Sequence, residues 1–153
     1  MIHVPVRQAS IADAQTGRVD DRWMEFFQRL GREFGTWTLV PFDAALFAGW
    51  TVQDADQVSF AYATYGQRVD VDFVFRATTS LAVASVTIAL PAGIVAARDS
   101  SAVIQVNDNG TTMPGMAKVA ADGTVITITR VDGVSFTDLR AVEGQLMLQR
   151  KQG

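Results

Sequence analysis

Residues 67–78 alternate between apolar and polar side chains more regularly than any other stretch of this chain. Four apolar side chains fall on one side of the alternation and four charged ones mostly on the other: Val69, Val71, Phe73 and Phe75 against Arg68, Asp70, Asp72 and Arg76. Successive side chains of an extended chain point to opposite faces. The stretch therefore predicts a β-strand with one buried face and one solvated face, as in an antiparallel sheet.

Shorter stretches with the same period of two follow one another through residues 36–153, separated by turn signals. The strongest turn signals are NDNG at 107–110, Asp122-Gly123 and Asp132-Gly133. We predict strands at 36–40, 57–64, 67–78, 83–90, 102–106, 111–120, 124–130 and 142–150, with an apolar loop or an irregular edge at 42–50. Pro114 and Gly115 predict that the strand at 111–120 is an edge strand or carries a bulge. About eight such strands favour a mainly β head domain at 36–153, an antiparallel β-sandwich of jelly-roll type.

Residues 20–35 have a helical period instead. Their large apolar side chains share one stripe, with charged side chains opposite: Trp23, Phe26, Phe27, Leu30 and Phe34. Asp20 or Asp21 can cap the start of the helix, and Gly35 can end it. The sequence thus predicts one amphipathic helix.

A helix of this length is marginal alone in water, so the stripe needs a partner. Burial of its five side chains is worth on the order of 10 kcal/mol. Two arrangements are open: the helix packs on its own domain, or helices from several subunits pack around an axis with the stripe as the oligomer interface. Residues 1–19, with Pro5 and Gly17, have no sustained period and predict an extended arm, either a loose terminus or a strap on a neighbouring subunit.

The composition of the chain argues against several classes of function. The 153 residues are 48% hydrophobic and 19% charged, with a formal net charge of −3 and no basic run, so recruitment of nucleic acid by charge is not expected. The chain has no cysteine, which removes disulfides and thiolate chemistry. No run approaches 18 apolar residues and the start lacks the apolar block of a secretory signal, so we expect neither membrane insertion nor signal-dependent export.

The residues that could carry chemistry form no catalytic pattern. His3 is the single histidine and lies in the predicted arm, so it cannot build a usual zinc site or serve a triad easily. Asp70 and Asp72 share one face and are the best candidates for paired carboxylates, but Arg68 and Arg76 share that face and favour a solvated charged surface. The NDNG turn lacks the later glutamate of a calcium loop. We expect no enzyme activity, no metal and no cofactor.

Aromatic side chains at strand ends or in loops offer a different kind of site. Trp50, Tyr62 and Tyr65 could stack on sugars or fill a partner's pocket, although core packing is the usual role of such residues. They are the candidate ligand or receptor contacts.

The order of these parts resembles that of virion proteins of tailed bacteriophages, particularly small fibre, spike and receptor-binding proteins. The resemblance is carried by T-G-R at 16–18, W-x-x-F-F-x-x-L at 23–30, G-T-W-T at 35–38 and VDVDFVF at 69–75. The chain departs from the family pattern at Pro41, since the proline usually follows the G-x-W-T motif directly.

The resemblance implies a virion structural protein, commonly a homotrimer, that is assembled in the host cytoplasm. Its N-terminal arms would contact other virion proteins, and its sandwich heads would point outward, with a host cell-surface glycan as a further partner. Two other classes stay open: a carbohydrate-binding module of lectin type, and a depolymerase that would use Asp70 and Asp72.

Overall fold

A computed structural model describes Trp23 and residues 36–153. It divides the chain into two units, Met1–Thr36 and Trp37–Gly153. The predicted arm at 1–19 and the predicted helix at 20–35 lie outside the described residues, apart from Trp23, which is helical and half-buried.

The second unit is built from β-strands joined by short turns. Its nine strands are β1 Thr38–Leu39, β2 Phe47–Ala48, β3 Gln57–Tyr65, β4 Arg68–Arg76, β5 Val86–Ala89, β6 Ser100–Asp108, β7 Thr111–Val119, β8 Val125–Arg130 and β9 Leu139–Gln149. Two 3-10 turns, Ala44–Leu46 and Asp54–Asp56, precede β2 and β3. No helix in the described residues is long and apolar enough to cross a membrane.

All nine strands belong to one antiparallel sheet with the order β1-β3-β4-β9-β6-β7-β8-β5-β2. Hairpins connect β3 to β4, β6 to β7 and β7 to β8, and the other neighbours are distant in the chain. The predicted mainly β, antiparallel class is confirmed. The division into a jelly-roll sandwich stays a prediction.

The short link between the two outermost strands forces this sheet to curl. Nine flat strands spaced by roughly 4.8 Å would place the outermost two about 38 Å apart. Those two strands, β1 and β2, are joined only by residues 40–46, a link that spans at most about 28 Å when extended. The sheet therefore bends so that its inner face encloses the core.

Aromatic contacts across the inner face show this closure. The ring of Phe75 in β4 meets Phe47 of β2 at 5.2 Å, Trp50 at 5.6 Å and Phe60 of β3 at 5.8 Å between centroids, all edge to face. Such pairs add about 0.5 to 1.5 kcal/mol each beyond the burial of their area. The four apolar residues predicted to face inward from β4 are fully buried, which confirms the predicted facing of that strand.

One prediction about a single element is wrong. The strand predicted at 111–120 as an edge strand or a bulged one, β7, lies between β6 and β8 and pairs with both in continuous register. The backbone oxygen of Pro114 accepts from the N–H of Val131, so this side of Pro114 faces β8. Val131 lies one residue beyond the end of β8. The N–H that proline lacks would therefore point past the end of the paired strand, which is why β7 tolerates Pro114 in a central position. Residues 42–50, predicted as an apolar loop or an irregular edge, contain the two-residue strand β2, which lies at one edge of the sheet.

Candidate functional site

Asp70 and Asp72 lie on the outer face of β4, on the same side as predicted, but each is held by its own partners. Arg68 donates from Nε and Nη2 to the two carboxylate oxygens of Asp70, both at 2.8 Å. Asp72 accepts from Ser59 Oγ at 3.1 Å and from Gln145 Nε2 at 3.2 Å. The bonds of Asp72 tie β4 to its neighbours β3 and β9, whereas the pair of Arg68 and Asp70 lies within β4. Both carboxylates are therefore occupied by neighbouring side chains.

Trp50 lies in the core. Its side chain is 8% exposed, and its indole N–H donates to the backbone oxygen of Thr87 at 3.1 Å. Phe47 and Phe75 pack edge to face against the ring. This position leaves little of the ring for a ligand.

Tyr62 is half-buried and lines an open, largely apolar groove of about 760 Å³. The groove runs between β1 and the link that follows it, and its walls include Leu39, Phe42 and Pro91. Leu39 is 77% exposed. The structure thus places Tyr62 in a concave surface of the described residues.

Tyr65 ends β3 and forms the hairpin with Arg68. The guanidinium carbon of Arg68 lies 5.5 Å from the centre of the Tyr65 ring, a cation–π contact. The carboxylate of Asp70 holds that guanidinium in place and raises the pKa of Arg68. One face of the Tyr65 ring is thus covered by an arginine that is itself fixed.

The predicted interface residues Phe26, Phe27, Leu30 and Phe34, like His3, lie outside the described residues. Trp23 is helical and half-buried. The oligomer interface on the stripe stays a prediction.

A buried carboxylate, Asp108, is a feature that the sequence analysis missed. Its side chain is 2% exposed and accepts from Arg130 Nη1 at 2.9 Å, and its Oδ1 accepts from the backbone N–H groups of Thr137 at 2.9 Å and Asp138 at 2.8 Å. These bonds fasten the connection between β8 and β9 to the end of β6. Asp108 belongs to the NDNG turn, which was interpreted only as a hairpin signal.

Two further carboxylates hold the same connection. The Arg130 guanidinium donates to Asp132 and, with the backbone N–H of Val134, lowers the pKa of that carboxyl. The backbone N–H of Ser80 donates to Asp138 at 3.0 Å and, together with the nearby Arg140, lowers the pKa of Asp138. In return, Ser80 Oγ accepts from the N–H of Leu139.

The NDNG turn itself forms as predicted. Asn107 Oδ1 accepts from the N–H of Gly110 at 3.0 Å, and both Asn109 and Gly110 have positive φ. Within the described part of the chain, no three histidine, aspartate or glutamate side chains are grouped so that they could hold a metal.

No protein family, curated protein or solved structure matches this chain.

Proposed function

We propose that this chain is a structural protein of a bacteriophage virion, a homotrimeric fibre, spike or decoration on the tail or head. The predicted arm at 1–19 contacts other virion proteins, the predicted helix at 20–35 bundles with its copies, and the β domain forms a jelly-roll-like head that can take part in host attachment. In this role the protein needs neither catalysis nor a cofactor. The sequence resemblance is the origin of the proposal.

The hydrogen bonds that the carboxylates accept within the fold are the observation that supports this proposal most directly. Asp72, Asp108 and Asp138 each accept hydrogen bonds that join different strands or fasten a connection, and Asp70 is paired with Arg68 on its own strand. Catalytic carboxylates instead need geometry and pKa values set for a reacting group in a cleft. Here the carboxylates hold strands and connections of the β domain in place, which is a structural role.

The stripe of the predicted helix supplies the assembly energy. Its five large apolar side chains are worth on the order of 10 kcal/mol when buried, a sizeable share of what a stable small oligomer requires. Around a threefold axis, each residue of the stripe meets its own copies. A single new charge there would be buried beside identical charges.

Phe27→Asp tests this assembly. We expect it to convert a trimer into folded protomers, because three like charges would be buried together. Sedimentation gives the mass and far-ultraviolet circular dichroism reports the fold. The matched control is Gln28→Asp, which adds the same side chain on the charged side of the helix and should leave the trimer intact.

Two results contradict the proposal. One is a wild-type chain that sediments as a monomer at micromolar concentration; this result favours the lectin-type alternative, with the groove beside Tyr62 as the sugar site. The other is Phe27→Asp protein that unfolds more easily without any change in mass, which places the helix on its own domain.

A further inference from the structure

The outer face of the curled sheet has two chemically different halves. On β4 and β9 this face is charged: Arg68 pairs with Asp70, and Arg76 Nη2 lies 3.6 Å from Glu143 Oε2. A solvated sheet face with charges of both signs is ordinary for an antiparallel sheet.

The other half, on β6, β7 and β8, is almost free of charge. Its outward residues are every second residue from 101 to 107, from 112 to 118 and from 125 to 129. Among these described residues, Lys118 alone carries a charge. The rest are apolar residues and the hydroxyl and amide side chains of Ser, Thr, Gln and Asn. We call these outward residues the uncharged face.

The middle of the uncharged face is apolar. Val103, which is 68% exposed, stands opposite Met116, and Met116 stands opposite Thr129 on the next strand. The ring of Pro114 lies beside this row, opposite Gln105. Depletion of charge around an apolar centre distinguishes the core of an interface from ordinary surface.

From this pattern we infer that the uncharged face packs against the same face on other copies of this chain. In a symmetric interface of this kind the patch meets its own copy, so a charge near the axis would face an identical charge, and a patch with charges of one sign would face the same sign. Hydroxyl and amide side chains both donate and accept hydrogen bonds, so they can pair with their own copies. A different partner protein would permit complementary charges on this face, and it carries almost none.

The size of the uncharged face sets its part in the assembly. Three strands spaced by roughly 4.8 Å, over about seven residues at 3.3 Å each, cover on the order of 300 Å². A standard stable interface buries about 800 Å² on each partner. The face therefore adds to the interface on the predicted helix and does not hold the copies together alone. In this sense the inference rests on the proposed assembly.

A chain without cysteine allows a direct test of which surface is covered. Val103→Cys places a single thiol on the uncharged face of the full chain, opposite Met116. Val134→Cys is the matched control, because Val134 is 54% exposed but lies in the connection between β8 and β9. Each variant is treated with a short bis-maleimide and analysed on a denaturing gel, and a separate sample is titrated with a thiol reagent.

We expect Val103→Cys to form covalent dimers in at least tenfold higher yield than Val134→Cys, and to react at least tenfold more slowly with the thiol reagent before cross-linking. Equal yields and equal rates in a chain that sediments as an oligomer would overturn the inference while leaving the proposed assembly standing. A monomer in sedimentation would overturn both. Circular dichroism on each variant confirms the fold.

Discussion

Replacement of Asp108 by asparagine keeps the shape of the side chain and removes its charge. In the wild-type protein this carboxylate is 2% exposed and accepts from the Arg130 guanidinium and from two backbone N–H groups, those of Thr137 and Asp138. An asparagine has one acceptor oxygen and turns an NH₂ group toward these donors. At least one buried donor therefore loses its partner.

The magnitude follows from the groups involved. Loss of one partner of a buried ion pair costs about 3 to 5 kcal/mol. Arg130 keeps a second partner, Asp132, so we expect the lower end of that range, about 3 kcal/mol. With a urea m-value of about 2 kcal/mol/M, the unfolding midpoint should fall by about 1.5 M.

Asp122→Asn is the matched control. Asp122 is also a turn aspartate with one cationic partner, Lys151 Nζ at 2.6 Å, but both side chains are more than half exposed. An exposed pair contributes at most about 1 kcal/mol. Urea unfolding of all three proteins is followed by far-ultraviolet circular dichroism at one protomer concentration, since association shifts apparent stability. If Asp108→Asn loses no more than Asp122→Asn, Asp108 is not the fastening point of this connection.

Two other predictions concern the same domain. A Cβ at position 144 would overlap Cγ2 of Ile104, so Gly144→Ala should cost about 1 to 3 kcal/mol in thermal unfolding. Ile104→Ala removes that Cγ2, so the double variant should lose less than the sum of the two single losses, and strict additivity would contradict this contact. Folding lowers the pKa of Asp132 and of Asp138. Their ionised carboxylates therefore stabilise the folded state above the unfolded-state pKa of about 3.9. This stabilisation is lost as pH falls through the lower folded-state pKa values. Asp138→Asn should therefore flatten the dependence of stability on pH below about pH 4, and an unchanged acid profile would refute the assignment.

Local pattern was enough to predict much of the second unit. In β4 the alternation gave both the strand and its facing, because the side chains of an extended chain change faces at every residue and only one face of this sheet is buried. The NDNG turn was predictable because backbone with positive φ, here at Asn109 and Gly110, selects glycine and asparagine.

The candidate site residues depended on contacts that no local pattern contains. Trp50 was read as a loop residue, yet its indole bonds to Thr87, 37 positions away, and its ring packs on β4. Asp108 was read as part of a turn, yet its buried partners lie 29 and 30 positions away. A charge-poor stretch from 100 to 129, broken only by Asp108, Lys118 and Asp122, was the available signal for the uncharged face.

The sequence by itself determined which segments extend, where they turn and which side chains share a face, since these properties depend on neighbours one to four residues apart. Only the tertiary structure decided the strand order, the central place of β7 with its proline, and the burial of Asp108. Those depend on which strands become neighbours, and that choice is made by closing the sheet around one core, where β1 and β2 are held near each other by a short link.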